Sequence, residues 1–261
     1  MDTENILENN LENHRPDRGI VIIPLKYNLF DDYSNFKNII LIDDKVINNI
    51  EFFNYVNQNT FPILYNITST ATELEELLQK FTSIERLCFV FDELCLYSNK
   101  SFLNRGYFFK ESDLNETETY SDNFNLIVNA IKRLNIKNVD YLACNSLNYS
   151  EWVKYYEKLK DITNVVVGAS NDKTGNLKYG GDWVLESTGL NIESTYFTED
   201  IKNYAYTLSA EIVSVNGGDI IYIQQVSPTS TVQYKVNNNG NWIDIDFTNG
   251  LQLIEILLLE L

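Results

Sequence analysis

Few residues in this chain have the type and setting for chemistry. Cys144 closes a short apolar run, VDYLAC (139–144), and a polar turn, NSLNYS, follows it. A thiol at the carboxyl end of a buried strand is well placed for a nucleophile, provided a base can generate the thiolate. The chain has one histidine, His14, which lies in a polar acidic stretch far upstream. A second set is acidic. NIILID ends in Asp43-Asp44, and ERLCFVFD ends in Asp92-Glu93. Carboxylates gathered from strand ends could hold a hard cation, with Asp43, Asp92 and Glu93 as the candidate ligands. No D-x-D-x-D-G loop accompanies them. A third feature is Gly180-Gly181-Asp182-Trp183. Its glycines suit a close backbone approach or a positive φ, its Asp a turn bond and its Trp a core anchor, so a structural role is expected.

The elements that would position these residues follow from periodicity. NIILID (38–43), FPILYN (61–66), ERLCFVFD (85–92), VDYLAC (139–144) and VVVGAS (165–170) are apolar, β-branched runs of strand length. Between them lie segments of helical spacing: VINNIEFFNYV (46–56), ATELEELLQKF (71–81), FNLIVNAIKRL (124–134) and EWVKYYEKLK (151–160). Thr70 and Glu73 have capping-box spacing, and Leu74, Leu77, Leu78 and Phe81 form one stripe. On the last helix Trp152, Tyr155 and Tyr156 read as a core stripe, with one of the three facing outward. Repeated strand–helix alternation predicts a mainly parallel sheet with helices on both faces, and ligands in such sheets sit beyond the carboxyl strand ends.

The chain divides into an acidic tail (1–18), an α/β domain (19–203) with a polar insertion (93–120), and a β-rich extension (204–261). In the extension, strand-like runs are separated by NGG, SPTS, NNNGN and TNG. Fifty residues of meander bury little core alone. Its last stretch, IEILLLEL, ends without a cap and is expected to pair with the main domain, with another chain (a protein partner or a second copy), or with residues beyond a truncation.

Composition narrows the function. The 261 residues carry a net charge of −17, which repels nucleic-acid phosphates and anionic membranes. The densest basic stretch, Lys132-Arg133 with Lys137, is too sparse to change that. No apolar run reaches the roughly 18 residues of a membrane span, and the N-terminus is unlike a signal peptide. Cys88, Cys95 and Cys144 are odd in number, lack a CxxC and have no neighbouring histidine, so reduced thiols are expected rather than disulfides or zinc. No cofactor is implied, and nothing fixes the compartment.

Taken in order, these segments resemble an uncharacterised domain-of-unknown-function family of large bacterial surface proteins. The resemblance rests on the ILIDxxV-like first strand, on a strand ending in Cys-Asn, and on the closing stretch Ala169-Ser170, Asp172, Thr174-Gly175, Gly180-Gly181-Asp182-Trp183 and Leu185-Glu186. It covers roughly residues 38–190. That family is in turn similar to the caspase–gingipain–CHAT superfamily. The resemblance implies a caspase-like α/β sandwich, a cysteine nucleophile at Cys144, and a His-Gly closing the preceding strand. Here that strand ends in Asp92-Glu93. Asp92 is a poor acid at neutral pH, and losing a positioned general acid/base typically costs about 10²–10⁴ in rate. The lost histidine, the acidic surface and the uncapped terminal β segment point to a pseudoenzyme with a structural, assembly or surface-interaction role within a larger surface protein, or, given the composition, a virion protein. The alternatives are a cysteine-peptidase-like enzyme that uses Cys144 without the usual histidine, and a cation-dependent binding module.

Overall fold

The computed structural model describes residues 33–46, 48–65, 69–91, 108–115 and 120–208, together with the backbone of four later strands (211–214, 220–225, 232–236 and 243–245). The core element is a five-stranded, all-parallel sheet of β1 (Asn38–Asp43), β2 (Thr60–Tyr65), β3 (Arg86–Val90), β4 (Asn138–Leu142) and β5 (Val166–Ala169). The strand order is β2-β1-β3-β4-β5. Every residue of β1 and β2 is buried, which is why both read as unbroken apolar runs rather than as alternation.

Alternate residues feed two cores. On one face, Leu41, Phe89 and Tyr141 meet the helices α2 (Ala71–Leu78), α4 (Asp122–Leu134) and α5 (Ser150–Thr163). On the other, Ile42, Val90 and Leu142 meet α1 (Asn49–Asn54) and the chain from Trp183 to Leu208. Both faces are covered, as expected of a parallel sheet. The predicted capping box forms. The Thr70 Oγ1 accepts the Glu73 N–H at 3.1 Å, and the Glu73 carboxylate accepts the Thr70 N–H at 2.8 Å. Helices α4 and α5 both end on an asparagine with φ 57°, Asn135 and Asn164. This Asn-rich chain uses asparagine for the left-handed cap that glycine more often fills.

One expectation is corrected. Trp152, Tyr155 and Tyr156 are at most 2% exposed, so none faces outward. Phe108 and Phe109, from the chain leading into the short helix α3 (Glu111–Leu114), close over them. Phe109 stacks on Tyr155 at 4.7 Å, and Phe108 meets Trp152 edge-on at 5.3 Å. The insertion is thus partly core.

A buried ionic clamp ties the sheet to its C-terminal cover. Arg86, at the start of β3, donates through Nε to Asp140 Oδ2 at 2.9 Å and through Nη2 to Oδ1 at 3.0 Å. The Tyr196 hydroxyl, in the short helix α6 (Glu193–Tyr196), donates to the same Oδ2 at 2.5 Å. Gly168 on β5 leaves the necessary room, since a Cβ there would lie 2.2 Å from Asp140 Oδ1. Burial pushes the Asp140 carboxyl above the ordinary range, while Arg86 and Tyr196 oppose the rise.

After β5 come a short hairpin, β6 (Val184–Leu185) and β7 (Leu190–Asn191), and a separate four-stranded antiparallel sheet. Its strands are β8 (Glu211–Ser214), β9 (Ile220–Gln225), β10 (Val232–Val236) and β11 (Ile243–Ile245), in the meander order β11-β10-β9-β8.

Candidate functional site

The strand order sends the chain from β1 outward to β2 and then back across to β3. The carboxyl ends of β1 and β3 therefore flank a topological switch point, where open α/β sheets bind ligands. β1 ends there in Asp43, and β4 and β5 carry their own ends, Cys144-Asn145-Ser146 and Ser170-Asn171-Asp172, along the same rim. Asp92, Glu93, Cys95 and His14 lie outside the described residues.

Cys144 is fully buried among Ile42, Val90, Leu142 and Trp183. Its Sγ accepts the backbone N–H of Thr174 at 3.2 Å and donates to the Thr174 carbonyl at 3.6 Å. The thiol is thus engaged on both its donor and acceptor sides by a single residue of the following loop. The next residue, Asn145, turns the chain at φ 60° and donates its N–H to the Asp172 carbonyl at 2.7 Å. Ser146 donates through Oγ to the Ser170 carbonyl at 3.3 Å. Together these bonds fasten the end of β4 to the 170–175 loop. A partly open apolar cavity bounded by Leu41, Leu87, Phe89, Asn123 and Ala130 lies on the opposite face of the sheet. At about 20 Å³ it has room for roughly one water.

The GGDW stretch sits on top of that loop. Asp182 returns its carbonyl to the Gly175 N–H at 2.7 Å, and its own N–H donates to the Lys173 carbonyl at 2.9 Å. Its Oδ1 accepts the Val184 N–H at 2.8 Å. Gly180 has φ 83°, the left-handed region that favours glycine. At Gly181 a Cβ would meet Thr207 Cγ2 at 2.9 Å and the Gly175 backbone at 3.0 Å. Trp183 is 4% exposed and packs on Phe197 at a ring separation of 5.1 Å.

The acidic residues divide differently from the sequence expectation. Asp43 is fully buried at the switch point; its Oδ1 accepts the Lys45 N–H at 2.9 Å. Burial, with a smaller contribution from Asp44, pushes its carboxyl well above the ordinary range. The same burial that raises this carboxyl disfavours its charged form, the form that binds a cation. Among the described residues a different set has ligand spacing: carboxylate oxygens of Asp172, Asp182 and Glu186 lie within 4.8 Å of one another, and these side chains are exposed or half-buried. Each is oriented by a donor, Ser170 Oγ on Asp172, the Val184 N–H on Asp182 and the Asn171 N–H on Glu186. Three carboxylates at that spacing suit a hard divalent ion in size and ligand type. Burial and then the neighbouring Glu186 and Asp182 raise the Asp172 carboxyl. The signal for this cluster was present in the closing stretch, where all three acids fall among the quoted motif residues.

No curated protein and no solved structure matches the chain. One family does, and it is described as a domain of unknown function. The match runs over residues 39–208, from β1 through the described part of the C-terminal cover. It takes in well over half of the 261 residues, and the chain accordingly belongs to this family, Domain of unknown function (DUF4347).

Proposed function

We propose that this chain is a non-catalytic α/β domain of caspase-like architecture, serving assembly or surface interaction within a larger surface or virion protein. The observation that carries the reading is the state of Cys144. A nucleophilic thiol must reach a substrate carbonyl and must be deprotonated by a neighbouring base. The Cys144 sulfur has no exposed surface, and the backbone of Thr174 engages it as both donor and acceptor. In this setting it acts as a linchpin between β4 and the loop that carries the family's closing motif. The caspase-like part of the proposal is an analogy of architecture. It rests on the order β2-β1-β3-β4-β5, helices on both faces, and a cysteine just beyond the end of β4.

The same burial weighs against the peptidase-like alternative. The discriminating experiment is thiol alkylation of the native chain at neutral pH, with mass mapping of Cys88, Cys95 and Cys144. On the proposed reading Cys144 labels as slowly as Cys88, which is buried in the same core, and reacts fully only after denaturation. Fast, selective labelling of Cys144, together with peptide hydrolysis that disappears in Cys144→Ala, would overturn it.

A further inference from the structure

The five-stranded sheet ends on two edge strands, β2 and β5, and the outward N–H and C=O groups of an edge can pair with a strand laid beside them. β2 carries Pro62 in its middle, and a residue without an N–H blunts that edge. β5 has no such protection of its own. The run VVVGA (165–169) contains neither proline nor charge, and Val166 is 48% exposed. An apolar, β-branched window on an open edge invites strand addition.

The edge is closed from within the chain. The Val166 N–H donates to the Lys137 carbonyl, so the backbone groups of 166 and 168 face β4 and those of 165, 167 and 169 face outward. Ser187, just past β6, engages these outward groups. Its N–H donates to the Ala169 carbonyl at 3.1 Å. Its Oγ donates to the Val167 carbonyl at 2.8 Å and accepts the Ala169 N–H at 2.8 Å. Glu186 extends the cover, its carboxylate accepting the Asn171 N–H at 3.0 Å. At the other end of the strand the Val165 N–H is taken by Thr163 Oγ1 at 3.4 Å. A single serine thus occupies three backbone positions that a neighbouring strand would use.

We infer that the outer edge of β5 is a latent pairing surface for the same strand of a second copy, and that Ser187 is the latch that keeps it shut. The occupant follows from the edge itself. An uncharged apolar strand does not repel its own copy, and antiparallel pairing of two β5 strands about a two-fold axis joins the same groups from both sides, as an isologous contact requires. Ser187 is exposed in the turn between β6 and β7, so its replacement opens the edge without removing a core side chain. The inference is independent of the state of Cys144.

The test compares the full chain with Ser187→Ala by light scattering from low to high micromolar concentration, and by hydrogen exchange at both ends of that range. At low concentration the Ala169 amide of the variant should exchange about 2- to 10-fold faster than in the parent, as a lost hydrogen bond predicts. At high concentration the variant's mass should rise above the parent's, and the amides of 165–169 should regain protection. Ser187→Thr keeps the hydroxyl and should behave as the parent. Adding Val166→Lys to Ser187→Ala should restore the parent's mass, because a lysine blunts an edge. A Ser187→Ala chain with the parent's mass at every concentration, or one whose extra mass survives Val166→Lys, would overturn the inference. An Ala169 amide that already exchanges freely in the parent would overturn the latch without any variant. Ser187→Gly removes the same hydroxyl and carries the same predictions should the alanine variant fail to fold.

Discussion

Replacing Cys144 separates a structural thiol from a catalytic one without any substrate. In Cys144→Ala the Thr174 N–H loses its acceptor at 3.2 Å in a site with no exposed surface. An unsatisfied buried donor costs about 1–3 kcal/mol. The sulfur also leaves a void of roughly one methylene, which adds about 1–1.5 kcal/mol in lost transfer and cavity energy. The sum is about 2–4 kcal/mol. In a domain of this size that lowers the Tm by roughly 4–16 °C. Cys144→Ser keeps an acceptor, but its shorter C–O bond draws that acceptor away from Thr174 and puts a stronger polar group among Ile42, Val90 and Leu142. It should lose about half as much. The assay is urea denaturation of the three proteins, with thermal melts as a check. A catalytic cysteine is under no such structural constraint, and its alanine variant is often as stable as the parent or more so. An alanine variant within 1 °C of the parent would refute the linchpin reading.

Three further outcomes follow from charge, two of them from buried groups. Arg86→Met strips two donors from Asp140 and leaves a fully buried carboxylate held only by Tyr196; the expected loss is about 3–5 kcal/mol by denaturant titration, and it should shrink toward pH 4 as Asp140 takes up a proton. Asp43 has a folded-state pKa raised above the unfolded carboxyl value near ~3.9, so the native state holds its proton longer and stability falls as pH rises from about 4 through the folded value. Asp43→Asn keeps the acceptor for Lys45 and removes the ionisation, so it should flatten that part of the stability–pH curve and stabilise the chain at neutral pH; an unchanged slope would show that Asp43 is not the group responsible. Glu186→Gln removes one of the charges that raise Asp172, so NMR titration of the Asp172 carboxyl should show its pKa moving down toward the ordinary value.

The alternation of strands and helices was legible because each β run is buried on both sides. Four consecutive buried apolar residues, Ile39–Ile42, fill the centre of β1, so the run itself marks the strand. Thr70 and Glu73 were legible for a local reason, since a capping box involves only residues three apart. What sequence could not supply was the covering of one element by another distant in the chain. The stripe on α5 gave no sign that Phe108 and Phe109 would arrive to close it, because that contact is set by the path of the insertion and not by helical periodicity. The acidic residues show the same limit. Asp43-Asp44 and Asp92-Glu93 stood out because they punctuate apolar runs, yet among the described residues the carboxylates that converge are Asp172, Asp182 and Glu186, joined by a loop folding back through the Thr174–Asp182 bridge.

That fold-back also explains why a cysteine at a strand end need not be a nucleophile. The end of β4 is open to a ligand only if the next loop leaves it uncovered. Here Asn145 in the left-handed region turns the chain so that its N–H reaches the Asp172 carbonyl, and the bond draws the 170–175 loop over the strand end. Gly175 then approaches Thr207 so closely that a Cβ would lie 2.6 Å from its Cα, and Gly181 packs against both. The glycines of the closing motif thus allow three backbone segments to pack closely beside Thr174, the residue that bonds the sulfur. A Gly181→Ala variant tests this coupling: its Cβ must displace either the Gly175 backbone or Thr207, which should loosen the stack and speed Cys144 alkylation. If the variant destabilises the fold while Cys144 stays as slow to label as in the parent, the stack contributes to stability without shielding the thiol.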